Sequence, residues 1–189
     1  MTSVAGTARG RLAVLLREAI APTLRVAGFV RGGHTWRRRR GDAIELLAVD
    51  GSRWNAGRVV RFGLVAALWY PAVARRLRQP AKPRPQWWEG HVRWSETGAE
   101  HTIAPDTDDA ALQRRVEAEL HRLLRWLAPR CDARSAYRAL PRAPHCPPSL
   151  AVQNALRTIA GRKPVPKPKQ SPPSRRRVGG FQVLSVRRG

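Results

Sequence analysis

Arg58-Val59-Val60-Arg61-Phe62-Gly63-Leu64-Val65-Ala66-Ala67-Leu68-Trp69-Tyr70 is the stretch on which the fold turns. Val60, Phe62, Leu64, Ala66, Leu68 and Tyr70 alternate onto one face of an extended chain, and Val65 and Trp69 fall on the other. Being apolar on both faces after Phe62, the segment predicts a central strand covered on both sides. The apolar run over residues 62–74 is the longest in the chain. It is shorter than the ~18–20 residues a membrane span needs and is interrupted by Pro71, so it reads as a buried strand and not as a membrane segment.

Upstream, residues 43–50 predict a strand entered through a tight Gly41-Asp42 turn, preceded by strand residues 34–40, a Gly32-Gly33 turn and residues 29–31. Before these, residues 9–27 carry Leu12, Leu15, Leu16, Ala19, Ile20 and Leu24 at helical spacing; Pro22 kinks or divides the helix and Gly28 stops it. Downstream, residues 71–86 hold four prolines among Arg75, Arg76, Arg78, Lys82 and Arg84, and read as a basic extended loop. Residues 87–96 read as a further strand. Thr107 is placed to cap a helix whose first turn holds Asp108 and Asp109 and whose apolar stripe is Leu112, Val116, Leu120, Leu123 and Leu127. Short helices follow at 133–139 and 149–160. The order gives an α+β domain: an antiparallel sheet of four to five strands, packed with an N-terminal helix and a closing amphipathic helix.

The length, 189 residues, suits one domain, taken as residues 1–160. Residues 161–189 carry five prolines and nine cations without an acid, and read as a disordered basic tail. Net charge is +23, and removing the tail leaves +14 on the domain itself. That excess holds polyanions nearby without sequence preference. Lys82, Lys163, Lys167 and Lys169 are the only lysines; the arginine bias also resembles GC-rich coding, although coding does not account for only 13 acidic residues. Cys131 and Cys146 are the only cysteines, and residues 12–16 form too short an apolar run for an export signal. Reduced thiols in a cytoplasm are the expectation.

Several packing residues carry a family resemblance. They are Leu24, Gly28 and Phe29 at the helix end, Trp36 on the next strand, Ser52-Arg53-Trp54-Asn55 after Asp50, Arg61-Phe62-Gly63-Leu64-Val65, and Trp87-Trp88 before an amphipathic helix. Over residues 8–140 this pattern resembles the bacterial domain-of-unknown-function family 4304. The polar residue that members carry shortly before the position of Trp54 is replaced here by Val49-Asp50-Gly51. The resemblance implies a compact α+β domain with an antiparallel sheet, and implies no catalytic residue.

The candidate anion-binding or nucleic-acid-binding residues are Arg37, Arg38, Arg39 and Arg40 in the strand beside Trp36, and Arg175, Arg176 and Arg177 in the tail. A strand places Trp36, Arg38 and Arg40 on one face and Arg37 and Arg39 on the other. Such a surface could hold phosphates and stack a base; alternatively it is an edge strand whose arginines deter aggregation while Trp36 packs inward. Metal and enzyme chemistry find little support. No His-Glu-x-x-His or paired Cys-x-x-Cys occurs, Cys131, His145 and Cys146 lack a fourth ligand, and His121 reads as solvated. A phosphatase loop at Cys146 would need an arginine where Val152 stands. Asp42, Glu45 and Asp50 could suggest a metal-dependent nuclease, but Glu45 and Asp50 point to opposite faces of a strand, and turn and solvent placement explains the three more simply.

The sequence therefore implies no cofactor and no catalytic residue. It points to a non-enzymatic cytoplasmic binding or accessory protein with a protein partner the sequence does not name. The alternative is a non-specific nucleic-acid-binding protein using the basic face and tail, with a nuclease third.

Overall fold

A computed structural model describes residues 7–51, 55, 58–94, 100–140 and 148–166. In chain order the elements are α1 (Ala8–Leu15), a π-helical turn (Leu16–Ile20), α2 (Ala21–Val26), β1 (Val30–Gly32), β2 (Thr35–Arg40), β3 (Ala43–Gly51), β4 (Val60–Trp69), α3 (Pro71–Arg76), a 3-10 turn (Trp87–Glu89), β5 (Val92–Trp94), β6 (His101–Ile103), α4 (Asp109–Leu127), α5 (Ala133–Ala139) and α6 (Leu150–Ile159). The sheet is antiparallel throughout, in the order β1-β2-β3-β4-β5, and β6 pairs the other end of β4 on the same edge as β5. The central position expected of residues 58–70 is where β4 lies, and the fold class is the expected α+β.

Period-two alternation along β4 separates two cores. Val60, Phe62, Leu64, Ala66, Leu68 and Tyr70 join Trp36, Leu47 and the α4 stripe Leu112, Val116, Leu120, Leu123 and Leu127 in the larger core. On the opposite face Leu46, Ala67, Trp69 and Ala74 form a smaller core, with Ile44 and Trp87 packed on it. Trp36 is buried on the helix side. Its strand is internal, between β1 and β3, because residues 30–32 add one further short strand outside it.

Residues 71–86 depart from the loop expected of them. Pro71 occupies the first turn of α3, where its fixed φ and missing N–H fit a helix start, and Val73 and Ala74 are buried beneath it. The chain then returns along the second face of the sheet. Thr35 Oγ1 donates to Gln86 Oε1 (3.0 Å), and Arg37 Nε donates to the Pro85 carbonyl (2.8 Å). Residues 87–89 are a 3-10 turn closed by a reciprocal Gln86–Glu89 capping box, and strand structure resumes only at Val92. Gly90 is needed where this turn meets the sheet: a Cβ there would lie 2.6 Å from the Ala67 Cβ.

Asp108, one residue after the expected Thr107, caps α4 by accepting from the N–H groups of Ala110 and Ala111. Thr107 instead accepts from the Ala104 N–H. Pro22 lies in the first turn of α2, after the π-helical turn. The chain after Gly161 stays on α6 as far as Val165, which exchanges two hydrogen bonds with Asn154, while Arg157 donates to the Lys163 carbonyl. Ser52, Arg53, Trp54, His145, Cys146, the turn at Gly98 and the tail from residue 167 lie outside the described residues.

Candidate anion-binding groove

The four consecutive arginines divide as strand geometry requires, but their two faces meet different surroundings. The two-residue turn at Gly41-Asp42 sets the register Arg40↔Ala43, Arg39↔Ile44, Arg38↔Glu45 and Arg37↔Leu46. Arg38 and Arg40 thus share the helix-side face with Glu45, which is 0% exposed. Arg38 Nη2 lies 2.5 Å from Glu45 Oε2 and Arg40 Nε 3.0 Å from Oε1. Arg38 also stacks over Phe29 at 4.5 Å and donates to the Ala27 carbonyl, while Arg40 donates to the carbonyls of Leu127 and Ala128 at the end of α4. These two arginines neutralise a buried carboxylate and hold helix ends. Glu45 is therefore not the solvated acid that the sequence suggests. Asp42 is exposed, and Asp50 is exposed on the opposite strand face from Glu45.

Arg37 and Arg39 face the other way, into a groove of about 600 Å³ between the sheet and the segment that follows β4. Ile44 and Trp69 supply its apolar lining from β3 and β4; Pro71, Ala74 and Arg75 come from α3; Gln79, Ala81, Lys82 and Pro83 close the far side. Four cations and no carboxylate line it. Arg39 and Arg75 are exposed and make no hydrogen bond or ion pair among the described residues. Arg37 is half-buried. Desolvation and the neighbouring Arg84 charge hold its guanidinium below the ordinary arginine value, opposed by Glu89. Lys82 is paired with Glu89, whose carboxyl is pulled down by that bond first and by the Gln86 N–H second.

A buried histidine supports the groove from behind. The His91 ring stacks on Trp69 with centroids 4.3 Å apart, Nδ1 accepts from the Tyr70 N–H at 3.0 Å, and Nε2 lies 2.9 Å from Gln79 Oε1. Since Nδ1 accepts, Nε2 carries the proton and the ring is neutral. Burial pushes its pKa down to about 4. The ring thereby fixes both Trp69 and Gln79, two lining residues.

Elsewhere, His101 Nε2 meets Glu119 Oε2 at 2.5 Å inside the larger core, with the His101 ring against Phe62. His121 is exposed, as expected. Cys131 is a free thiol beside Asp132. Among the described residues no three His, Cys, Asp or Glu side chains are grouped to hold a metal ion, and no helix is long and apolar enough to cross a membrane. Arg175, Arg176 and Arg177 lie outside the described residues. Sequence reasoning missed Arg75, Gln79 and Lys82 as partners of Arg37 and Arg39. The run of cations over 75–84 was the available signal, but where it would fold depends on the return of the chain across the sheet.

The family model described as "Domain of unknown function (DUF4304)" matches residues 20–128, more than half of the chain. The match takes in β1 to β6, α3 and α4, and hence every residue that lines the groove. No curated protein and no solved structure matches the chain.

Proposed function

For this chain, which belongs to the DUF4304 family, we propose a non-catalytic binding function whose ligand is a multiply charged anion held in the groove. The observation that carries the reading is the convergence of Arg37, Arg39, Arg75 and Lys82 around Trp69 and Ile44 with no acid among the lining residues. Lys82 already has Glu89 as a partner and Arg37 is bonded to backbone carbonyls, whereas Arg39 and Arg75 have no ion pair among the described residues, and a bound anion supplies the counter-charge they lack. Arginine is suited to the role because its planar fork gives two parallel bonds to a phosphate or carboxylate.

The non-catalytic part of the reading rests on where the acid–base groups are engaged. Glu45 is neutralised by two arginines, His91 is held neutral between Tyr70 and Gln79, and Glu119 is paired with His101. None of these faces the groove opening with a free proton acceptor. A bacterial, cytoplasmic setting is part of the proposal, supported by the arginine-rich composition and the low cysteine count.

Calorimetric titration of the full chain with inorganic tripolyphosphate tests it. A saturable isotherm that weakens with added salt is expected, and Arg39→Glu combined with Arg75→Glu should abolish it. An unchanged isotherm in that double variant would remove the groove from consideration.

A further inference from the structure

Trp88 is a second feature of the segment that follows β4, in the 3-10 turn whose Glu89 pairs with the groove-lining Lys82, and its neighbours do not account for it. It is 55% exposed, an unusual position for so large a ring. Its 3-10 turn is firmly held. Trp87 packs on the smaller core and meets Trp88 edge-on at 5.9 Å, the capping box closes the turn, and Glu89 holds the groove-lining Lys82. The indole is thus presented to solvent on a rigid mount, one residue from the contact that fixes the groove wall. The same segment of chain also carries Arg76, Arg78 and Arg84, all exposed, and the Arg84 charge acts on Arg37 in the groove wall. Arg78 is held at φ 55, a left-handed conformation that glycine adopts more easily.

Building on the anion-binding reading of the groove, we propose that its ligand is single-stranded nucleic acid, with phosphates along Arg39, Arg75 and Lys82 and one base stacked on Trp88. A track of cations beside a solvent-facing ring is the chemistry that single strands offer partners for: a repeating charge, and an aromatic face freed from pairing. A duplex keeps its base faces internal and gives Trp88 nothing to stack on. A single small anion would satisfy the groove but leave the cations beyond it and the indole without a role. Trp36, the ring that the sequence sets beside the arginines, is buried and unavailable.

Fluorescence anisotropy on the full chain separates the alternatives. The probes are labelled oligothymidylate, an abasic oligomer of the same length, and polyglutamate. Trp88→Ala should weaken oligothymidylate binding about 5- to 100-fold, the usual contribution of one stacked base, with Trp88→Phe retaining most of the affinity. The abasic oligomer, which keeps the phosphates and lacks the rings, should be unaffected by either change. Arg39→Glu with Arg75→Glu should weaken both oligomers more than Arg114→Glu with Arg115→Glu, the same charge change on exposed residues of α4. If oligothymidylate and the abasic oligomer bind alike and Trp88→Ala alters neither, the single-strand proposal is overturned while the anion-binding groove stands. If polyglutamate binds as tightly as oligothymidylate and depends equally on Trp88, the ligand class is wrong. If the two charge reversals are equivalent, the groove reading itself fails.

Discussion

Adjacent residues on one strand, Arg38 and Arg39, should differ sharply in their response to the same truncation. Arg38→Ala removes the closer partner of a carboxylate that is 0% exposed, together with the stack on Phe29 and a bond to the Ala27 carbonyl. Arg40 still faces Glu45 but cannot reach the vacated oxygen as well, because its other bonds tie it to the end of α4. Leaving a buried charge short of a partner costs about 3–5 kcal/mol. Arg39→Ala deletes an exposed side chain with no bond to lose and should fall within about 0.5 kcal/mol of the parent. Urea denaturation followed by tryptophan fluorescence measures both, with the m-value checked for constancy. Replacing Arg38 by Met and Glu45 by Leu together should recover most of the loss, since a buried ion pair can be exchanged for packed apolar groups at little net cost. Equal midpoints for Arg38→Ala and Arg39→Ala would refute the division of the arginines into structural and ligand-facing pairs.

Trp36→Ala should cost about 3–5 kcal/mol of stability by the same denaturation assay, because the ring is buried in the larger core. Stability should also fall with acid through His91: its folded pKa of about 4 lies below the ordinary 6.5, so its contribution is complete above pH 6.5 and is lost as pH drops towards 4, by roughly 3 kcal/mol. A His91→Gln variant should lack this component when midpoints at neutral and acidic pH are compared. Arg78→Gly should raise the thermal midpoint, by the equivalent of about 1 kcal/mol, because the left-handed backbone at this position costs glycine little.

How far the sequence discloses this structure depends on how local each determinant is. β4 is legible because its alternation runs over ten residues and both its faces are apolar. The α4 stripe is legible for the same reason at the helical period. α3 is not. Six residues carry too little periodicity, and Pro71, which reads as a breaker, is acting as a helix start. β6 has three residues and draws its strand character from pairing with Val60, Arg61 and Phe62. Glu45 is an instructive intermediate case. Its residue type says surface, yet the two-residue turn at Gly41-Asp42 already implies that it sits opposite Arg38. Of the groove, the shared face of Arg37 and Arg39 follows from strand geometry alone. Arg75, Gln79 and Lys82 join them only because the chain after β4 folds back over the sheet, a tertiary event with no local signature.

Whether Arg37, Arg39, Arg75 and Lys82 act together on an anion can be read from side-chain NMR. Arginine Nε–Hε resonances of the full chain would be followed during titration with tripolyphosphate. The Arg39 and Arg75 signals should move first and saturate together, accompanied by the indole N–H of Trp69, a residue of the groove lining. Shifts confined to arginines of α4 or of residues 167–189, with Arg39 and Arg75 unmoved, would contradict that joint action.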